Sequence, residues 1–235
     1  VKKKEFIIQD LLSKIYQKQF PNGKLPDQRA LAETYHVSRY TIQEAIKNLN
    51  EIGIIKVVQG SGMYVYENLQ NNPLIFNSLT RTPYKRISSK MISINKEKST
   101  PEEEQIFQLE RSEEIWTFQR VRVVDYKIEQ IEVSKMPVSL FSDLNQVHIE
   151  HSIQEYVQSL GYNISHYITS YSPTAVTKNQ AELLLCKKGT PAMKITNRCL
   201  LDDGRVYEYS ELTAIDYTCT YITPFDKETH KSRQS

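Results

Sequence analysis

Leu25-Pro26-Asp27-Gln28-Arg29-Ala30-Leu31-Ala32-Glu33-Thr34-Tyr35-His36-Val37-Ser38-Arg39-Tyr40-Thr41-Ile42-Gln43-Glu44-Ala45-Ile46 reads as two short helices joined by a tight turn. Pro26-Asp27 opens the first, whose apolar positions are Leu31, Ala32 and Tyr35. Ser38 stands where a hydroxyl would cap the second, which is predicted over 39–50. Its apolar positions Ile42, Ala45, Ile46 and Leu49 fall at i, i+3, i+4 and i+7, a single buried stripe. Such a pair, with the second helix polar at its start, is a helix-turn-helix in outline.

The flanks complete the unit. Upstream, Ile7, Ile8, Leu11, Leu12, Ile15 and Tyr16 recur at helical spacing over 5–18, and Phe20-Pro21-Asn22-Gly23 ends that helix. Downstream, Ile54-Ile55-Lys56-Val57-Val58 and Met63-Tyr64-Val65-Tyr66 are β-rich runs around Gln59-Gly60-Ser61-Gly62, a hairpin that would form a wing. Residues 1–67 carry ten Lys/Arg against seven Asp/Glu, net +3, which leaves −1 for the rest of a chain whose total is +2. That asymmetry permits nucleic-acid binding by the N-terminal part.

Residues 68–84, with Asn72-Pro73 and Thr82-Pro83, lack sustained periodicity and read as a linker. Beyond them, strand-like runs at 86–95, 114–124, 128–136, 164–172, 190–200 and 205–213 alternate with helical stretches near 101–109, 152–160 and 177–185. The expected architecture is α+β: a winged helix-turn-helix over 1–67, then a mostly antiparallel sheet with packed helices over 85–225, and a flexible tail over 226–235. The 235 residues suffice for two cores.

Cys186, Cys199 and Cys219 are odd in number and widely spaced, which argues for free thiols and against a disulfide framework or structural zinc. The five histidines show no metal-ligand spacing, so no metal or cofactor is expected. No membrane span is expected, and Lys2-Lys3-Lys4-Glu5 lead directly into an amphipathic segment, from which a cytoplasmic location is expected.

Leu25–Ala32, Val37–Ile46 and Gln59–Val65, three motifs in order, make the N-terminal part similar to the GntR family of bacterial regulators. The second half resembles the UTRA effector domain of the HutC branch through Ile87-Ser88-Ser89-Lys90, Gln119-Arg120-Val121-Arg122, Ile131-Glu132 and Tyr207-Glu208-Tyr209-Ser210. Together the resemblances span roughly residues 5 to 222. They imply a repressor that binds palindromic double-stranded operator DNA as a homodimer and lets go when a small anionic metabolite enters the second domain.

The resemblance places Arg29, Ser38, Arg39, Tyr40, Thr41, Gln43, Gly60 and Ser61 at the DNA. The physics agrees: Arg at the start of a recognition helix can bond guanine O6 and N7 in a bidentate fork, and hydroxyls with helix-end amides can hold phosphate. Asp27 and Gln28 stand where the family commonly has Ser and Glu, and Gln43 where it has Arg; Gln favours adenine N6/N7.

For the effector, Arg120 and Arg122 lie two apart on a predicted strand and so share a face, where two guanidiniums could grip phosphate or carboxylate. In sugar-phosphate-sensing relatives an Arg-x-Arg pair, a glutamate on the next strand and a serine at a helix start form the site, matching Arg120, Arg122, Glu132 and Ser152; Glu208 is a further candidate for hydroxyl recognition. A three-residue turn at 125–127 would set Arg120 opposite Glu132. Structural alternatives stay open: a cross-strand salt bridge for Arg120 and Glu132, and a helix cap for Ser152. Gln154 stands where some phosphate-binding relatives have Tyr, and Leu212–Tyr217 lacks their Tyr-Arg-Gly-Asp-Arg pattern. Two other functions stay open as well, a second domain that only dimerises and, because UTRA is similar in fold to chorismate lyase, a lyase-like enzyme; no catalytic residue is identified.

Overall fold

The computed structural model describes residues 3–66, 74–77, 87–124, 127–223 and 225. They fall into two compact units, one comprising Val1–Tyr84 with Thr218–Ser235 and the other Lys85–Tyr217.

In the first unit, α1 (Lys3–Tyr16), α2 (Gln28–Tyr35) and α3 (Arg39–Glu51) bury the stripes expected of them. Ile7, Leu11, Ile42, Ala45, Ile46 and Leu49 are core residues, joined by Leu25, Leu31, Ile54, Ile55 and Met63. Tyr16, counted with the α1 stripe, is exposed. Tyr35 instead turns its hydroxyl inward to donate to Asp10 Oδ2 at 2.6 Å, so α1 and α2 are tied by a polar contact as well as by packing. The strands β1 (Lys24–Leu25), β2 (Ile55–Val58) and β3 (Gly62–Val65) form a small antiparallel sheet in the order β1-β3-β2.

The segment expected as a linker contains a strand, β4 (Leu74–Asn77), which pairs antiparallel with β11 (Cys219–Tyr221). Residues from Thr218 therefore cluster with the N-terminal unit, and not with the sheet domain to which the range 85–225 assigned them. Ile222 packs against the first unit's core. The tail over 226–235 lies outside the described residues.

The second unit is a six-stranded sheet of β5 (Ile87–Lys98), β6 (Glu114–Val124), β7 (Lys127–Pro137), β8 (Ile164–Ala175), β9 (Pro191–Leu201) and β10 (Val206–Ala214). The order is β5-β6-β7-β10-β9-β8, every neighbour antiparallel. Period-two alternation puts Phe118, Arg120, Glu132, Ser134, Met136 and Cys199 on one face. There α5 (Gln146–Glu150) and α6 (Ile153–Ser159) cover Phe118, Met136, Phe141 and Tyr207. On the opposite face α7 (Lys178–Leu184) packs Ala181 and Leu184 on Val121 and Ile131. α4 (Pro101–Phe107) lies on that same face, its capping-box Glu103 pairing with Lys135. The sheet and its two helical layers set the functional side chains of this unit.

Candidate functional site

The turn between α2 and α3 is built by two caps and one left-handed residue. Asp27 accepts from Arg29 N at 2.9 Å and Ala30 N at 2.8 Å, doing the capping that Ser would do. Those amide donors hold its carboxyl below the ordinary range. His36 ends α2 at φ 51°, and Ser38 Oγ accepts from Thr41 N at 3.2 Å at the start of α3. Only His36, Val37 and Ser38 separate the helices, the tight turn of a helix-turn-helix.

This geometry gathers Arg29, His36, Ser38, Arg39 and Thr41 around one open cleft of about 620 Å³. Arg39, Tyr40 and Gln43 project from the first turns of α3 into solvent, Tyr40 69% exposed, although core packing alone would cover so large a ring. Arg29 reaches Glu33 Oε1 at 3.2 Å, an exposed i,i+4 pair of little energetic weight that leaves the guanidinium at the surface.

The wing's register, Val58 opposite Gly62, leaves Gln59, Gly60 and Ser61 as a three-residue loop. Gly60 sits at φ +76°, and an added Cβ there would meet nothing within 4 Å. Glycine is required at that tip for its left-handed backbone, and the space around it stays open for a close approach. Ser61 Oγ lies 2.7 Å from Tyr64 Oη, and Lys24 Nζ sits 5.7 Å above the Tyr64 ring. Gly60 and Ser61 line a second groove together with Lys24 and Gln28.

In the sheet unit the register places Arg120 opposite Glu132. The route differs from the expected three-residue turn, because Val124 already pairs with Lys127 and a bulge between Arg122 and Val123 restores the offset. Arg120, 3% exposed, donates from Nε to Glu132 Oε2 at 2.6 Å and from Nη1 to the Ile149 carbonyl at 2.8 Å. Arg122 Nη2 stands 3.8 Å from the same carboxylate oxygen, with its side chain 22% exposed. Glu208 is buried on β10, and Ser134 Oγ donates to it at 2.8 Å while lying 3.4 Å from Glu132 Oε1.

The structure thus brings the buried Arg120, Glu132 and Glu208 together with the half-buried Arg122 and adds Ser134 to them. Ser134 lies two residues after Glu132, hence on the same face, and strand periodicity alone could have found it. The Ile149 carbonyl could not have been found, since α5 is five residues long and too short for a periodic pattern. Ser152 caps α6, accepting from Glu155 N at 3.2 Å and approaching Gln154 at 3.4 Å, so its described hydrogen bonds stay within its own turn.

Burial pushes the Glu208 carboxyl up to about 7, with the Glu132 charge adding to the effect. Burial acts on Glu132 in the same sense, but Arg120 and Arg122 outweigh it and hold that carboxyl below the ordinary range. Two acids 76 positions apart in sequence are thereby driven in opposite directions within one cluster. From its ordinary value of 4.5 up to about 7, the folded unit holds a proton on Glu208 that the unfolded chain has released. Stability from this group is complete below 4.5 and is lost as pH rises through 7; Glu132 contributes with the opposite sign, its share lost as pH falls below 4.5. Thermal unfolding should therefore give a melting temperature that falls between pH 5.5 and 7.5 more steeply for the native protein than for Glu208→Gln. Equal slopes would mean that Glu208 ionises normally.

Among the described residues, no group of three or more His, Cys, Asp or Glu could hold a metal ion, and no helix is long and apolar enough to cross a membrane.

Comparison with known proteins joins these two sites in one kind of molecule. The UTRA domain model matches residues 84–215, and the model for bacterial regulatory proteins, gntR family, matches residues 3–65. The chain is 29% identical over 212 residues to the mannosyl-D-glycerate transport/metabolism system repressor MngR of Escherichia coli (strain K12), covering 86% of this chain and 87% of that protein. It is 28% identical over 214 residues to the HTH-type transcriptional repressor NagR of Bacillus subtilis (strain 168), covering 88% and 87% of the two chains. Among solved structures, that of the possible transcriptional regulator YydK from Bacillus subtilis is similar with a TM-score of 0.57 at 25% identity, covering 96% of this chain and 100% of that one. The chain belongs to the gntR family of bacterial regulators that carry a UTRA domain, and it is a DNA-binding transcription regulator, not an enzyme.

Proposed function

We propose that the protein is a cytoplasmic homodimeric repressor that holds a palindromic operator through Arg29, Ser38, Arg39, Tyr40, Thr41, Gln43, Gly60 and Ser61, and lets go when a small anionic effector reaches its sheet domain. Arg29, Ser38, Arg39 and Thr41 line an open cleft at the start of α3, Gly60 and Ser61 line another at the tip of the wing, and Tyr40 and Gln43 are exposed on α3. A helix start in the major groove and a glycine tip against the backbone or minor groove are the contacts these surfaces fit.

The observation that carries the effector reading is the buried cluster of Arg120, Glu132 and Glu208 with the half-buried Arg122 at its edge. Two guanidiniums meet a phosphate or carboxylate, while the acids and Ser134 accept from or donate to hydroxyls. The relatives named as repressors of mannosyl-D-glycerate and fructoselysine systems favour a sugar-derived anion, of which a sugar phosphate is the simplest. Ser152, at the start of α6, would add a hydroxyl beside the anion. Binding would favour one dimer geometry over another and so change the spacing of the two recognition helices.

Arg122 is the residue with which to test this, because it is the more exposed of the pair and its loss leaves the Arg120–Glu132 bridge in place. Thermal melts of the intact protein with saturating hexose 6-phosphates, hexosamine 6-phosphates and mannosylglycerate are expected to show a rise of several degrees for at least one, on the order of 3 kcal/mol at a hundredfold excess over Kd. Arg122→Ala should abolish that rise while the ligand-free protein still folds, melting somewhat lower because Glu132 loses one of its two cations. A rise of equal size in Arg122→Ala would reject the site.

A further inference from the structure

The cluster around Arg120 uses one face of β7 and β10, and strand alternation gives the same two strands a second set of side chains on the other face. On β7, Val133 and Lys135 alternate with Glu132 and Ser134; on β10, Tyr209 and Glu211 alternate with Glu208 and Ser210. The register sets Tyr209 beside Lys135 and Glu211 beside Val133. α4 lies over this patch, and between helix and sheet is a cavity of about 420 Å³, within the size range of small-molecule sites.

Its lining has an apolar part and an acidic part. Ile106 and Phe107 of α4 line it together with Val133 and Tyr209. Phe107 is buried, but Ile106, Val133 and Tyr209 are each half-buried, so apolar surface stays open to an occupant. The charged groups are Glu102, Glu103, Glu211 and Lys135, three carboxylates to one ammonium. Glu103 and Lys135 satisfy each other, and Glu103 also accepts from the Thr100 amide at 2.7 Å, which leaves Glu102 and Glu211 to set the charge of the cavity. Both are exposed. Glu211 meets Lys194 at 2.8 Å with the two side chains 47% and 42% exposed, a surface pair that an arriving cation displaces at little cost.

We propose that this cavity is a second ligand site, separate from the Arg120 cluster, and that it takes an organic amine with an apolar body. The ammonium group meets the carboxylates of Glu102 and Glu211, and the hydrocarbon lies against Ile106, Val133 and the Tyr209 ring, whose face also attracts a cation. A metal ion suits the lining poorly: the apolar part offers it no ligand, and among the described residues no group of three or more His, Cys, Asp or Glu could hold one. An anion is opposed by the excess of carboxylates, the single ammonium being already paired with Glu103. The sheet domain then receives ligands of opposite charge on its two faces. The inference stands beside the anion reading and does not depend on it.

The test uses the native protein with 2-phenylethylamine, tyramine and isopentylamine, and with the acids of matching shape, 3-phenylpropionate and 4-methylpentanoate. At least one amine is expected to raise the melting temperature saturably, by ~5 °C at a hundredfold excess over its Kd, and neither acid is expected to do so. Glu102→Gln combined with Glu211→Gln keeps the shape of the cavity and removes its charge; calorimetry should show amine affinity at least tenfold weaker. Both positions are exposed, so the variant should fold, as its ligand-free melt will report. Arg122→Ala, on the other face of the sheet, should respond to the amine as the native protein does. Silence of all three amines, an equal response to the matching acids, or full amine affinity in the double variant overturns the site and leaves the anion reading standing. Loss of the amine response in Arg122→Ala overturns it as well, by placing the amine at the other cluster.

Discussion

Replacing Arg120 by Met is expected to destabilise the sheet domain by about 3–5 kcal/mol, the cost of leaving a buried carboxylate without its hydrogen-bonded partner. Glu132 is as buried as Arg120, and Arg122, half-buried, stands 3.8 Å away, too far to replace a 2.6 Å contact. Arg120 also satisfies the Ile149 carbonyl at the end of α5, so its loss uncouples that helix from the sheet. The double replacement Arg120→Met with Glu132→Leu should recover most of the stability, since apolar side chains of similar volume often equal a buried ion pair. Urea unfolding followed by fluorescence suits the comparison. Trp116, the chain's single tryptophan, sits on β6 and donates to the Phe141 carbonyl at 2.8 Å, so its signal reports this domain. A single variant within 1 kcal/mol of the native protein, or a double variant as unstable as the single, would contradict the account of the cluster.

The second large effect is expected at the other end of the chain. Arg39→Ala should weaken operator binding by about 1–3 kcal/mol, roughly ten- to a hundredfold, and relax preference at the base pair it reads. Folding should be untouched, because Arg39 is exposed at the first position of α3 and the cap is made by Ser38. Arg29→Ala differs in kind: a phosphate contact would be lost, with affinity falling evenly across sequences and a shallower salt dependence. Equal binding by native and Arg39→Ala proteins across a panel of base-substituted operators would remove Arg39 from the interface.

The DNA-reading unit was legible in the sequence because its signals are local. The stripe Ile42, Ala45, Ile46 and Leu49 specifies α3 and its buried face at once, and each of the four is in the core. Asp27 shows that function can persist through a change of residue, since carboxylate and hydroxyl both satisfy orphan helix amides. The sheet domain was legible strand by strand, and with it the meeting of Arg120 and Glu132. That pairing survives a different turn only because the bulge at Arg122/Val123 shifts the ladder back by one residue, a compensation no local pattern reveals.

What escaped the sequence is short or distant. β4 and β11 are four and three residues long, and their pairing joins positions more than 140 residues apart, which periodicity cannot register. The same applies to the Ile149 carbonyl, a main-chain group whose identity carries no side-chain signal. Ser152 reads equally well as a cap and as a ligand, and its described hydrogen bonds are those of a cap.

A mobility shift of the protein on the DNA flanking its own gene tests whether it holds operator DNA and releases it to an anion. Retardation is expected at 50 mM salt, weaker at 200 mM, and reversed by whichever sugar-derived anion raises the melting temperature of the native protein but not of Arg122→Ala. No retardation at either salt concentration, or retardation that persists at saturating concentrations of that anion, would contradict the repressor reading.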